Sequence, residues 1–104
     1  DIPQQELSII YSSSQYRSPV LTGVDNIIAN QAGELLIAED GGDMQIVVLV
    51  ANKVFPLLQL VGHERSEIAG PALSPDGKRL YFSSQRGSSG YNDGGITYEV
   101  TGPF

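Results

Sequence analysis

A short unit that occurs twice, 44 residues apart, limits what this chain can fold into. When Gly33 is aligned with Gly77, residues 26–38 fall on residues 70–82. The second copy contains the turn sequence Ser74-Pro75-Asp76-Gly77, in which proline fixes its own φ, aspartate suits the next position and glycine accepts a positive φ. An apolar run rich in β-forming residues follows this turn. Each copy therefore predicts a β-hairpin.

The spacing of the two copies predicts the architecture. A period of about 40 to 45 residues, with four strands in each unit, is typical of β-propeller blades. Hairpin turns are predicted at residues 30–33 and 74–77. Strands are predicted at residues 7–11, 26–30, 35–38, 45–51, 54–61 and 96–100, with two more within residues 69–85. No amphipathic helix is predicted, so the expected fold is all-β: antiparallel, blade-like sheets that form about two blades of a six-bladed propeller.

The strand pattern divides the chain into three parts. Residues 1–22 are the expected end of a preceding blade, residues 23–62 a first full blade, and residues 63–104 a second, incomplete blade. Pro56 predicts that the last strand of the first blade is an edge strand. Because a propeller closes a ring of blades, we expect the partners to be the remainder of a propeller or copies of the chain itself. The sequence begins at Asp1 without a signal peptide, so we expect a piece of a longer precursor.

Charge and composition exclude several classes of function. Twelve acidic and six basic residues give a net charge of -6, which disfavours a nucleic-acid partner. The chain has no cysteine, so it can form neither a disulfide nor a thiolate metal site. No apolar run is long enough to predict a membrane span. Carboxylate groups that bind cations are the more natural candidates for function.

Acidic residues stand at the strand ends that the two hairpins bring together. In the first unit, Asp25 and Asn26 begin one strand, and Glu39 and Asp40 end the next. In an antiparallel pair these positions are neighbours. The 44-residue offset places Glu67 of the second unit level with Gly23, close to this group. Oxygen ligands of this kind suit calcium, magnesium or ferric iron, so we predict a metal site that includes Glu67, Asp25, Asn26 and Glu39.

Other polar residues have simpler interpretations beside functional ones. Acidic residues at strand ends are often only solvated, and Asp76 is explained completely by its turn. Arg86 could hold a phosphate through its planar guanidinium group or pair with an acid. His63 could bind metal or act as a base, but a lone histidine after a strand is more often a surface residue. The glycine-rich segment 87–95 lacks the ending of a nucleotide-binding loop.

Several segments resemble the C-terminal part of the PhoX-like family of secreted bacterial propeller proteins, some of which are alkaline phosphatases. The segments are Val24-Asp25-Asn26-Ile27, Ile37-Ala38-Glu39-Asp40-Gly41, residues 67–77 and residues 95–104. The most specific of them is Glu-x-x-Gly-Pro-x-x-Ser-Pro-Asp-Gly, which begins at Glu67. The resemblance implies channel carboxylates that hold calcium and iron, a phosphomonoester substrate, and a periplasmic or secreted location. It makes Glu67 the first candidate ligand, followed by Asp25, Asn26 and Glu39, with Arg86 as a candidate substrate contact.

One departure from the family pattern leaves three functional hypotheses open. Phosphatase members follow the second unit with Gln-His-Pro-Gly, whereas this chain has Gln85-Arg86-Gly87-Ser88. The first hypothesis is that the parent protein is a metal-dependent phosphatase. The second is a propeller that acts as a binding or scaffold module, which the missing His-Pro favours. The third is a lactonase-like hydrolase with a single calcium ion. We expect the chain alone to be inactive in each case, because it supplies only part of a site.

Overall fold

The computed structural model of the protein describes residues 5–15, 23–40 and 43–104. Within these ranges the chain forms a 3₁₀ turn at Ser13–Gln15 and seven strands, but no α-helix. The strands are β1 (Val24–Ala29), β2 (Leu35–Glu39), β3 (Gln45–Val50), β4 (Lys53–Gln59), β5 (Ile68–Leu73), β6 (Arg79–Ser84) and β7 (Ile96–Thr101). No helix of the described part has the length and apolar character needed to cross a membrane.

The seven strands form two antiparallel sheets in which neighbours in sequence are neighbours in space. The first sheet has the order β1-β2-β3-β4, and the second has the order β5-β6-β7. Every pairing in both sheets is antiparallel. The predicted all-β, antiparallel fold is therefore confirmed.

Both predicted hairpin turns are present and have the same hydrogen bond. The amide of Gly33 donates to the carbonyl of Asn30 at 3.0 Å, and the amide of Gly77 donates to the carbonyl of Ser74 at 2.9 Å. The two glycines have φ angles of 80° and 71°, a region that glycine adopts without steric cost. Asp76 adds to the second turn by accepting hydrogen bonds from Ser74 Oγ and the Lys78 amide.

The repeat that the sequence shows is also a structural repeat. β1 and β5 begin and end 44 residues apart, and so do the starts of β2 and β6. Each hairpin has a register irregularity in its first strand, between Val24 and Ile27 in one and between Ala69 and Ala72 in the other. The side chain of Gln31 donates to the carbonyl of Pro75 at 2.6 Å, which joins the two turns. The two units thus have the same local fold.

The fourth strand of the first sheet lies at its edge, as Pro56 predicted. β3 and β4 are joined by Ala51 and Asn52, whose φ angles are 49° and 66°. Two successive positive φ angles define the type of turn that matches the twist of a hairpin. The strands predicted at residues 45–51 and 54–61 had placed this turn at residues 52–53, one residue later. Pro56 itself sits beside a register irregularity between Ile46 and Val47, where a missing amide is tolerated.

The two sheets share one hydrophobic core. It consists of the buried residues Leu36, Ala38, Met44, Ile46, Ile68, Leu80 and Phe82. β1 lies against β5, and Asn26 Nδ2 donates to the carbonyl of Ile68 at 3.3 Å across this contact. A second, smaller cluster of Ile37, Val47 and Leu49 covers the other face of the first sheet, with Tyr11 packed against it. The first sheet is therefore apolar on both faces.

The strand predicted at residues 7–11 is wrong. Residues 5–12 have no regular secondary structure, and the side chains of Leu7 and Ile9 are 101% and 78% exposed. A β-rich sequence forms a strand only when a second strand supplies hydrogen bonds and packing, and none of the described strands pairs with this segment. Residues 1–4 and 16–22, which belong to the expected end of a preceding blade, lie outside the described residues, as do residues 41 and 42.

Candidate metal centre

The hairpin topology places the start of the first strand of each sheet beside the end of the second strand of the same sheet. The amide of Asp40 donates to the carbonyl of Gly23 at 2.9 Å, and the amide of Gln85 donates to the carbonyl of Glu67 at 2.9 Å. Gly23 and Glu67 are equivalent positions in the repeat. Because β1 also lies against β5, the acidic residues of both hairpins meet at one end of the two sheets.

Three carboxylates converge at this end of the molecule. One oxygen each of Asp25, Asp40 and Glu67 lies within 4.8 Å of the others. Asp25 and Asp40 are exposed, and Glu67 is partly buried. The group therefore offers hard oxygen ligands from three separate strand ends, with open space for water molecules to complete a coordination sphere.

The electrostatic environment of Glu67 reflects this crowding. Its pKa is raised above the usual value, first by its burial and then by the negative charges of Asp40 and Asp25. Arg86 opposes the shift and lowers the pKa, since its guanidinium Nη1 lies 3.9 Å from Glu67 Oε1. A carboxylate whose ionised form is disfavoured by neighbouring carboxylates gains from a cation that neutralises all three.

The raised pKa of Glu67 predicts a pH dependence of stability. The folded protein holds this proton more tightly than the unfolded chain, whose value is near 4.5. The stabilising contribution is thus fully present below that value and is lost as pH rises through the higher folded pKa. We expect Glu67→Gln to gain stability relative to the wild type as pH rises from about 4 to about 7 in chelator-treated buffer.

Urea unfolding of both proteins across this pH range measures the difference in free energy of unfolding. Glu64→Gln is the matched control, because it removes the same charge from an exposed glutamate and keeps an oxygen to accept from the Gly62 amide. A Glu67→Gln difference that stays constant with pH, or that Glu64→Gln reproduces, would contradict the interpretation.

The other predicted ligands have different roles in the structure. Asn26 uses its Nδ2 atom to join β1 to β5, which holds the two sheets together beside the cluster. Glu39 is only 3% exposed, and its Oε2 atom accepts from the Gln45 amide at 3.4 Å. Among the described residues, the group of converging carboxylates contains Asp40 and not Glu39. The structure thus brings together Asp25 and Glu67 of the predicted set.

Arg86 borders the carboxylates and is held by several contacts. Its Nε donates to the carbonyl of Arg65 at 2.9 Å, and its Nη1 donates to Gln85 Oε1 at 3.0 Å. The side chain is 30% exposed. These contacts fix the guanidinium group beside Glu67, and the side chain as a whole remains partly exposed.

A buried polar network beneath the site was not predicted from the sequence. His63 Nδ1 lies 2.8 Å from Ser84 Oγ, which donates to Ser66 Oγ at 3.0 Å. Since the Ser84 hydroxyl proton is used in that bond, its oxygen accepts from His63 Nδ1–H. Ser66 Oγ also accepts from the Arg86 amide at 2.7 Å. The network therefore fixes the backbone on both sides of the Glu67–Arg86 pair.

This network is structural. Ser84 is fully buried and His63 is 9% exposed, so the serine hydroxyl does not face a substrate. One sequence signal could have revealed it: Ser84 follows Leu80 and Phe82 at intervals of two, which places a hydroxyl on the core face of β6, where it needs a partner.

Comparison with known proteins found no matching family model, no matching curated protein and no matching solved structure.

Proposed function

We propose that the chain forms two neighbouring blades of a β-propeller and binds a divalent cation, calcium above all, through Asp25, Asp40 and Glu67. The observation that carries the cation site is the convergence of three carboxylate oxygens within 4.8 Å from two repeated hairpins. Calcium accepts six to eight oxygen ligands in variable geometry, with water among them. A site with only three carboxylates, two of them on exposed residues, leaves room for such water ligands. Magnesium demands stricter octahedral geometry and keeps more of its water.

The blade interpretation is supported by the repeat itself. Two antiparallel units with the same turn, the same irregularity and a 44-residue offset pack through their first strands. In a propeller the first strands of successive blades line a central channel. Asp25, Asp40 and Glu67 would then lie at the mouth of that channel. The rest of the ring would come from further residues of a parent protein or from copies of this chain.

For the parent protein we propose phosphomonoester hydrolysis of the PhoX type, in the periplasm or outside the cell. Two features support it: the motif that begins at Glu67, and the position of Arg86 beside the carboxylates. A cation there would neutralise a phosphate and orient it, and the guanidinium group of the partly exposed Arg86 side chain would donate to its oxygens. The oxygen-only ligand set suits calcium and also ferric iron.

Two other functions have their own support. Arg86-Gly87 in place of His-Pro favours a binding or scaffold module without catalysis. The small number of protein ligands favours a lactonase-like site with one calcium ion. Turnover of p-nitrophenyl phosphate and of a simple lactone by a parent protein, with and without calcium and iron, separates the three. The 104-residue chain alone should turn over neither substrate, because it holds only part of a site.

Calcium binding predicts a large gain in thermal stability. A ligand that binds only the folded state, at a hundred times its Kd, adds about 2.7 kcal/mol to the free energy of unfolding. For a chain of this size that gain raises Tm by roughly 10 to 20 °C. We expect this rise in Tm in the wild type and its loss in Asp25→Asn and Glu67→Gln. Calorimetry of the three proteins with and without calcium measures it.

Asp76→Asn is the control for the calcium experiment. Asp76 lies in the hairpin turn at the opposite end of β5 and β6, and an asparagine keeps the oxygen that accepts from the Lys78 amide. This variant should show the full calcium shift. An equal shift in Glu67→Gln and the wild type would show that calcium binds elsewhere.

A further inference from the structure

Two tight turns of the chain have the same hydrogen bond and the same Asp-Gly pair. In residues 74–77 and in residues 91–94, the amide of the last residue, a glycine, donates to the carbonyl of the first, at 2.9 Å and 3.0 Å. Asp76 and Asp93 occupy the third position of these turns, and both are exposed. A third pair, Asp40-Gly41, includes a residue outside the described part of the chain. The first two pairs can therefore be compared directly.

The carboxylate of Asp76 is held in place. Its Oδ1 atom accepts from Ser74 Oγ at 2.7 Å and from the Lys78 amide at 3.0 Å. These bonds favour the ionised form, so the pKa of Asp76 is lowered, first by the Ser74 hydroxyl and then by the Lys78 amide. The next residue, Gly77, is buried, and its carbonyl accepts from the Phe104 amide at 2.9 Å. Both members of this pair are thus fixed.

The carboxylate of Asp93 has no such anchor. Within the ranges that the structure describes, the Asp93 side chain makes no hydrogen bond and no ion pair. Its turn begins with Tyr91, which has no hydroxyl on Cβ and so cannot make the bond that Ser74 makes. Asp93 is exposed and Gly94 is only partly buried, so water reaches the pair.

The glycine makes an Asp-Gly pair reactive, because it has no Cβ atom to obstruct attack by its own nitrogen. This nitrogen attacks Cγ of the neutral aspartic acid. A C–N bond forms, the bond from Cγ to the carboxyl hydroxyl breaks, and the hydroxyl leaves as water with the amide proton, which gives a cyclic succinimide. Water then adds to the main-chain carbonyl carbon and breaks its bond to the glycine nitrogen. The chain is left linked through Cγ, and no oxidant or reductant is consumed.

We propose that Asp93 is a site of spontaneous isomerisation to isoaspartate through a succinimide formed with Gly94. Asp76 is protected from the same reaction by its bonds to Ser74 and Lys78. These bonds must break before Cγ can turn towards the next amide, and they reduce the fraction of the neutral, reactive acid at a given pH.

The product does not fit the loop in which it forms. Isomerisation adds one atom to the main chain next to Gly94, where even a Cβ atom would collide with Ser89 Oγ and the carbonyl oxygen of Arg86. That carbonyl accepts from the Gly90 amide at 3.2 Å and from Ser89 Oγ at 3.3 Å. The modification therefore loosens the loop at the residue that borders the candidate metal centre. It does not depend on the cation site, so each can fail while the other holds.

Prolonged incubation of the folded protein near neutral pH, in water labelled with heavy oxygen, tests the proposal. Peptide mass spectrometry should resolve two isomers of the peptide that contains Asp93, and the isoaspartyl isomer should carry labelled oxygen. We expect Asp93 to isomerise at least roughly tenfold faster than Asp76, because the hydrogen bonds to Asp76 must first break. In urea, where both turns are lost, the two rates should be similar. Asp93→Glu should abolish the reaction at this position, because glutamate would have to form a larger ring.

Ser74→Ala provides a second measurement on the protected pair. It removes one of the two bonds to Asp76 and should speed isomerisation there, whereas Ser74→Thr keeps a hydroxyl and should not. Three results would overturn the proposal. They are equal rates at Asp76 and Asp93 in the folded wild type, an isoaspartyl peptide without labelled oxygen, or a wild type in which Asp93 remains unmodified while it reacts in urea.

Discussion

Phe82→Ala should strongly destabilise the protein. Phe82 is 2% exposed and lies in the core that both sheets share. Its ring stacks on Tyr98 of β7, with a centroid distance of 5.5 Å. Truncation of a buried phenylalanine removes its burial energy and leaves a cavity, which together cost about 3 to 5 kcal/mol. Thermal unfolding should therefore show a Tm lower by more than roughly 10 °C.

Phe55→Ala is the control for this prediction. Phe55 has the same side chain but is 52% exposed at the edge of the first sheet. In dilute, monomeric protein its truncation should change the free energy of unfolding by less than about 1 kcal/mol. Similar losses for the two variants would mean that the two sheets do not share a core at Phe82.

Among the substitutions, Gly87→Ala should cause the second largest loss of stability. Gly87 has a φ of 60°, where an alanine costs roughly 1 to 2 kcal/mol. A Cβ atom at this position would also collide with the carbonyl oxygen of Gly94 across the loop. That backbone cannot move freely, because the amide of Gly94 donates to Tyr91 and the amide of Gly90 donates to Arg86. We expect a loss of at least about 2 kcal/mol in the free energy of unfolding.

Gly62→Ala separates the two causes. Gly62 also has a positive φ, 86°, but no heavy atom beyond Gly62 itself and its two chain neighbours lies within 4 Å of the position of its Cβ. Its substitution should cost only the backbone strain, about 1 kcal/mol. Urea unfolding of both variants measures the difference. If Gly87→Ala costs no more stability than Gly62→Ala, the Gly94 carbonyl does not lie close to the Cβ position of residue 87.

The sequence predicted those parts of the fold that depend on local chemistry. Ser74-Pro75-Asp76-Gly77 and Gly33 specify turns through their own backbone preferences, so both hairpins were predicted at the correct positions. Pro56 lacks an amide, which marked β4 as an edge strand. The prediction for residues 7–11 was wrong because a strand also needs a partner strand, and the composition of the segment does not show whether one is present.

The candidate site was predicted only in outline for a similar reason. Each hairpin brings strand ends together, so the grouping of Asp25 with Glu67 could be expected. Which of Glu39 and Asp40 joins them depends on the register. The irregularity between Val24 and Ile27 shifts the pairing by one residue, and a shift of one reverses which neighbour faces the cluster. The spacing of Ser84 from Leu80 and Phe82 indicates a hydroxyl in the core, but its partners His63 and Ser66 are distant in sequence and are not identified by that spacing.

A crystal structure of the protein grown with calcium tests the central claim most directly. We expect one calcium ion bound by oxygens of Asp25, Asp40 and Glu67 at about 2.3 to 2.6 Å, with water molecules completing the coordination. We also expect no ion in crystals of Glu67→Gln grown in the same conditions. A wild-type structure at saturating calcium in which these three carboxylates hold no ion would contradict it.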